Sequence, residues 1–247
     1  MLAAAILFLA AVVAGLQNAL AGGGSFVTFP ALVLAGLDAR AANITSTVAL
    51  FPGQITTGLA GRRYVSGTPG LPFLWLFVLS LIGGAVGGLL LLATPPGVFA
   101  RLVPWLVLFA TAVFAWGSFA RRPSAVTTSI GPTAAAIGQF LIAIYGGYFG
   151  GGIGILMLAA LTMAGLPIRN AGSTKNVLAG VMNASAVVIF LFSPDVYWSK
   201  AVAVAVGAVI GGQIGAWALH RVNERLLRVC IIALGLVLFV GLLLDAP

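Results

Sequence analysis

Long uncharged apolar runs alternate along the chain with short charged turns. Residues 1–37 carry no charge, and neither do 41–61, 64–100, 102–120, 123–168, 176–194, 201–219 and 229–244. A helix needs about 20 apolar residues to cross a hydrocarbon core of roughly 30 Å. The pattern predicts crossing helices over about 42–61, 72–92, 102–120, 174–193, 200–219 and 225–244. The last begins at Arg225, whose long side chain can snorkel to the headgroups. Runs 1–37 and 123–168 are too long for one crossing and too short for two. Each encloses a glycine cluster, Gly22-Gly23-Gly24-Ser25 in the first and Gly150-Gly151-Gly152 in the second. Consecutive glycines break a helix, each costing about 1 kcal/mol relative to alanine. Broken backbone survives at membrane depth only inside protein or beside a wet cavity. Each long run is therefore expected to form a broken helix or a re-entrant hairpin, over 1–37 and 131–166.

Composition narrows the class. Of 247 residues 61% are apolar and 6% charged, against about 45–50% and 25% in soluble domains. Mean hydropathy is +1.17. These values exclude a soluble enzyme, a disordered tail and a nucleic-acid-binding domain. The net charge of +8 comes from twelve dispersed lysines and arginines, which read as topology signals rather than as a nucleic-acid patch. One cysteine and one histidine exclude an intrachain disulfide framework and a Cys/His metal site, and nothing implies a cofactor. The apolar segment 1–21 lacks a basic n-region and has an internal counterpart, so it reads as part of the first hairpin rather than as a signal peptide.

A shift of 129 residues brings the halves into register. Gly22-Gly23 falls on Gly151-Gly152, Gly36-Leu37 on Gly165-Leu166, Arg40 on Arg169, Thr45 on Thr174 and Gln54 on Asn183. The chain divides into repeat 1 (1–122) and repeat 2 (123–247), each a hairpin plus three crossings, within one membrane domain. If each broken segment crosses the bilayer, the basic residues divide five against seven. If each returns, they divide three (Arg40, Arg101, Lys200) against nine. The positive-inside rule selects the hairpins. It also places both termini outside the cytoplasm and inverts the second repeat relative to the first. The expected fold is an all-α integral membrane protein of two inverted-topology repeats, the architecture of many secondary transporters.

The chemistry on offer is anion binding. Helix N-termini present free N–H groups and about half a positive charge. The glycines of both clusters (Gly22, Gly23, Gly24, Gly150, Gly151 and Gly152) allow backbone to approach a ligand, with Ser25 alongside. The helices that follow open on small donors: Asn43, Thr45, Ser46 and Thr47 in one, Ser173, Thr174, Lys175 and Asn176 in the other. Gln54 and Asn183 add amides deeper in each. An ionisable group inside a span is costly unless it has a role, so Lys175 either belongs to the site or snorkels to the headgroups and counts only for topology. Asn18, Gln139, Tyr145 and Tyr148 lie near the hairpins, either lining a cavity or packing. No metalloprotease, nucleophile-elbow or Walker motif is present, and no acid lies within a predicted span. This is not the pattern of an enzyme, and a carboxylate proton relay is unavailable.

At the stretch Gly22–Leu32, at Gly36-Leu37 with Arg40-Ala41 and Thr45-Ser46, and at the second copy Gly150–Gly152, Gly165-Leu166-Pro167, Arg169 and Thr174, the sequence resembles the TauE/SafE sulfite exporter family. The resemblance covers nearly the whole chain. It implies a bacterial-type cytoplasmic membrane permease that exports sulfite, sulfonates or related anions and couples to protons. Two departures stand out. Pro30 of the first copy corresponds to Ala159, and the Thr45-Ser46 pair becomes Thr174-Lys175, adding a fixed positive charge suited to a dianion. The expected function is secondary transport of a small sulfur oxyanion across the bilayer. An anion channel and a non-transporting membrane scaffold are the alternatives.

Overall fold

The structure, a computed structural model, describes residues 2–20, 23–60, 62–119, 130–218 and 224–244. Among them the regular elements are helices, with one isolated bridge between Thr68 and Leu71. The first half holds α1 (Leu2–Leu20), α2 (Ser25–Leu34), α3 (Ala39–Ala60), α4 (Phe73–Ala93) and α5 (Pro96–Phe119). The second holds α6 (Pro132–Tyr148), α7 (Ile153–Met163), α8 (Ile168–Phe190), α9 (Trp198–Ala218) and α10 (Glu224–Leu244). Among the described residues, Phe73–Ala93, Pro96–Gly117 and Ile168–Phe190 are long and apolar enough to cross a bilayer. Leu74, Trp75, Trp105, Trp116 and Val202 are exposed on the outside of the bundle, as lipid-facing side chains must be.

Three helices begin earlier than hydrophobicity alone marks. Helix α3 starts at Ala39 because the Asp38 carboxylate accepts the N–H groups of Arg40 at 3.0 Å and Ala41 at 3.1 Å, a side-chain N-cap. Pro96 and Pro167 set the starts of α5 and α8. Proline tolerates the first positions of a helix, where its missing N–H costs nothing.

Glycine pairs end the short helices α2 and α7 in the same way. Gly36 takes φ +90° and Gly165 φ +94°. The N–H of Leu37 returns to the carbonyl of Leu32 at 3.2 Å, and that of Leu166 to Leu161 at 3.0 Å. Both are Schellman closures, which require a left-handed residue after the cap. The repeated Gly-Leu dipeptide is thus a repeated helix stop.

Packing partners exchange under the same shift of 129. Helix α1 packs on α9 as α6 packs on α4, and α3 on α9 as α8 on α4, while α3 meets α8 and α5 meets α10. Glycines make these contacts close. Gly207 faces Phe8 and Ala11, and Gly211 faces Val12, so α1 and α9 run in the same direction. Gly83 faces Ala143 and Gly87 faces Ile144, so α4 and α6 do too. Gly84 meets Met182 and Gly88 meets Ala186, which makes α4 parallel to α8. Helices α3 and α8 run oppositely, since Gln54 meets Asn183 and Gly58 meets Asn176. Of the buried apolar residues, Leu32, Ile44, Phe99 and Phe114 belong to one cluster and Leu76, Met157, Leu178 and Met182 to a second.

The ends of both short helices contact the starts of other helices. The N–H of Ile130, just ahead of α6, donates to the carbonyl of Met163 at the end of α7 at 2.9 Å. In the first half, Lys200 at the start of α9 donates to the carbonyl of Ala35 at 2.8 Å.

Candidate functional site

The site is built from the two breaks. Gly23 adopts φ +86°, and its carbonyl accepts the Gln17 side-chain amide at 2.8 Å. Gly24, the N-cap of α2, is buried so tightly that a Cβ would stand 2.8 Å from the Ala14 carbonyl oxygen. In the second break Gly150 and Gly152 take φ +80° and +73°, and Gly152 is the N-cap of α7. The N–H groups of Phe149 and Gly150 share the Tyr145 carbonyl. Neither cap supplies a side-chain hydrogen bond. Helices α4, α6 and α8 also lack one, but their caps, Pro72, Gly131 and Pro167, are exposed to solvent, whereas Gly24 and Gly152 are buried. The N–H groups of Phe26 and Val27 turn back to the carbonyls of Gly23 and Gly24 at 2.9 and 3.1 Å, and that of Ile155 to Gly152 at 3.1 Å. At these buried starts the N–H groups of Ser25, Ile153 and Gly154 are therefore the ones that need a partner.

Between the breaks lies a cavity of about 80 Å³. Asn18, Gly23, Gly24 and Ser25 line it around the first break, and Phe149, Gly150, Ile153 and Gly154 around the second. Helix α3 contributes Thr47, Leu50 and Gln54, and α8 contributes Lys175, Asn176, Ala179 and Asn183. Thr47, Leu50 and Gln54 follow i, i+3, i+7 spacing, as do Asn176, Ala179 and Asn183, so each trio occupies one helix face. The trios correspond residue by residue under the repeat. At their far ends the Asn183 amide donates to the Gln54 side-chain oxygen at 2.7 Å.

Lys175 is the cation of the cavity. Its Nζ stands 3.6 Å from the position a Gly154 side chain would occupy, and among the described residues it makes no hydrogen bond or ion pair. Its repeat counterpart Ser46 is turned away and buried, its hydroxyl 2.6 Å from that of Thr28.

The sequence-derived site residues separate into two groups. Gly23, Gly24, Ser25, Gln54, Gly150, Lys175, Asn176 and Asn183 surround the cavity. Asn43, Thr45, Ser46, Gly151, Gly152, Ser173 and Thr174 do not line it, and Gly22 lies outside the described residues. Asn43 instead donates to the Tyr148 carbonyl at 3.0 Å. Thr45 bridges the α8–α9 connection, donating to the Asp195 carbonyl at 3.3 Å and accepting the Tyr197 N–H at 3.2 Å. Thr174 does the same for the α3–α4 connection, with both its contacts to Ser66 at 3.1 Å. Short hydroxyls seek open backbone groups, and chain connections supply them. Gln139 binds the Ser80 hydroxyl at 2.8 Å and Tyr148 reaches Thr94 at 3.3 Å, so both serve packing. The additional lining residues Asn18, Thr47, Leu50, Phe149, Ile153, Gly154 and Ala179 were legible only in part. The i, i+3, i+7 spacing shared by the two repeats is the signal that marks Thr47, Leu50 and Ala179.

The two bundle ends carry unequal versions of one polar cluster. Arg40 pairs with Asp195 at 2.8 Å and donates to the Thr94 carbonyl at 2.9 Å. Its counterpart Arg169 meets no carboxylate among the described residues, where Ser66 stands in place of Asp195. Arg169 instead lies 3.9 Å over the Tyr64 ring and donates to its hydroxyl at 2.6 Å.

The family model for the sulfite exporter TauE/SafE matches residues 7–242. The chain belongs to the TauE/SafE family. It is 28% identical over 98% of its length to a probable membrane transporter protein, ORF9, of a Sinorhizobium species, covering 92% of that protein. It is 25% identical to a probable membrane transporter protein of Haemophilus influenzae and to YfcA, a probable membrane transporter protein of Escherichia coli. These alignments cover 98% of the chain and 94% and 90% of the relatives. This TauE/SafE protein is therefore a helical membrane transporter with a polar cavity between two glycine-broken helix pairs.

Proposed function

We propose that the protein is a secondary active transporter that exports a small sulfur-containing oxyanion, such as sulfite or an organosulfonate, across a bacterial cytoplasmic membrane. The observation that carries this reading is the unpaired Lys175 ammonium in a cavity shared by both glycine breaks. A buried cation without a carboxylate partner is stabilised by an anionic guest. The amides of Asn18, Asn176 and Asn183 and the open N-termini of α2 and α7 complete a shell of donors. Protons, if coupled, travel on the substrate, because no carboxylate lines the cavity.

In this reading the two five-helix halves are inverted repeats, and each hairpin re-enters the bilayer from its own side. Helix directions support it. Helix α1 runs with α9, and α9 starts beside the start of α3 through Thr45 and Tyr197. Helix α3 opposes α8, α8 runs with α4, and α4 with α6. The first helix of one half thus opposes the first helix of the other. The contacts of Ile130 with Met163 and of Lys200 with Ala35 support the return of both hairpins. Arg62, Arg63 and Arg169 are exposed at one end, which is the cytoplasmic end by the positive-inside rule. Both termini then face away from the cytoplasm. Polar clusters at corresponding places at both ends favour a carrier, in which access alternates, over a channel with one continuous pore.

Purified protein in proteoliposomes should move sulfite down an imposed gradient, and Gly152→Leu should abolish the flux while the protein still elutes as a folded species. Unaltered flux in that variant overturns the proposed site. Electrical current far above carrier turnover would replace the carrier with a channel. The absence of any flux or ligand-induced thermal shift would leave the scaffold reading.

A further inference from the structure

The two halves agree in most of what they present to the cavity and differ in one respect that matters electrostatically. Thr47 matches Asn176 and Gln54 matches Asn183, each pair uncharged and polar. The partner of Lys175 is Ser46, whose hydroxyl is engaged by Thr28 and which does not line the cavity. The cavity therefore holds a whole positive charge on one side and no compensating acid on either. To this are added the N-termini of α2, 10 residues long, and α7, 11 residues long. Each adds a partial positive charge of at most about half a unit, so the field at the centre exceeds that of Lys175 alone.

We infer that Lys175 sets the valence of the transported anion, making the site selective for a compact divalent oxyanion over a monovalent sulfonate. This inference rests on the anion-transport reading above and narrows its substrate class. The cavity, about 80 Å³, holds several times the ~10–15 Å³ that one water needs. That accommodates a small oxyanion, so the discrimination between guests of different valence rests on charge. Against a monovalent guest the site keeps uncompensated positive charge, whereas a divalent guest balances it. In a cavity bounded by Phe149, Leu50 and Ile153, such an imbalance is poorly screened.

Sulfate and methanesulfonate separate charge from shape, since one differs from the other by an oxyanion in place of a methyl group. Equilibrium binding of sulfate, thiosulfate, sulfite and methanesulfonate to the full-length protein in detergent at pH 7 is the test. At least one divalent probe should bind at least about tenfold more tightly than methanesulfonate. Lys175→Met should bring that ratio close to one by weakening the divalent probe, and Lys175→Arg should keep it. If Lys175→Met fails to fold, Lys175→Gln serves in its place, and the wild-type ratio already decides half the question. Methanesulfonate binding as tightly as the divalent probes, or a ratio unmoved by the neutral variants, overturns the inference and leaves the transport reading standing. Wild-type protein that binds no probe of either valence overturns both.

Discussion

Gln54 and Asn183 occupy the same place in two copies of one pattern, 129 residues apart, and hydrogen-bond to each other at 2.7 Å. In the proposed inverted-repeat arrangement, equivalent residues meet only on the axis that relates the halves. The pair links α3 to α8 at one edge of the cavity. Its energetic weight is modest, and its position gives it consequence.

Removing either side chain loses one neutral hydrogen bond, worth about 1 kcal/mol. Asn183→Ala and Gln54→Ala should each lower thermal stability by that order. The double variant should lose less than the sum, because the second deletion has no bond left to break. A double-mutant cycle on detergent-solubilised protein measures the coupling, and strict additivity would rule out the bond.

The first break combines a left-handed Gly23, at φ +86°, with a close approach at Gly24. Gly24 has φ −53°, which any residue tolerates, but an added Cβ would stand 2.8 Å from the Ala14 carbonyl oxygen. Gly24→Ala should force the arms α1 and α2 apart, costing about 1–3 kcal/mol and most of the transport. Gly36→Ala is its control: φ is +90° with nothing within 4 Å, so only the left-handed penalty of about 1–2 kcal/mol applies. That variant should keep its flux per folded molecule. Equal loss of flux in both would mean that the first break has no special part in transport.

The ion pair between Arg40 and Asp195 has no acidic counterpart at the other end of the bundle. Asp195→Asn leaves Arg40 with the Thr94 carbonyl but without its charge partner. Both side chains are about one-fifth exposed, at 17% and 22%. The loss should therefore exceed that of a surface pair, on the order of 1–3 kcal/mol. Part of the lost stability should be independent of salt, because a partly buried pair is incompletely screened. Melting curves at low and high ionic strength read this directly. Arg169→Ala, on an exposed side chain, should change stability by less than about 1 kcal/mol.

Thr174 and Thr45 do corresponding work at opposite ends. Thr174→Val keeps the shape and deletes the hydroxyl, leaving the Ser66 N–H and carbonyl without their shared partner. About 1–3 kcal/mol should be lost, with little change in substrate affinity, since the residue does not line the cavity. A large change in affinity at unchanged stability would return Thr174 to the binding site.

Much of this molecule could be read from its residues in order. Charge-free runs marked the helices, because water and lipid partition side chains before any tertiary contact forms. The doubled Gly-Leu stops and the glycine clusters marked the breaks, because few residues other than glycine accept a positive φ or permit such close backbone contact. The shift of 129 aligned Gln54 with Asn183, although nothing in that alignment said that the two would touch.

Facing was decided only in three dimensions. Thr45 and Thr47 lie two positions apart on α3, about 200° around the helix, and only Thr47 reaches the cavity. Thr174 and Lys175 are neighbours, yet one ties down a chain connection and the other presents its charge to the centre. Both helices are polar on more than one face, so spacing alone leaves their rotation open. That rotation is set by what packs behind them: α9 behind α3 and α4 behind α8, held close by glycines such as Gly84 and Gly88.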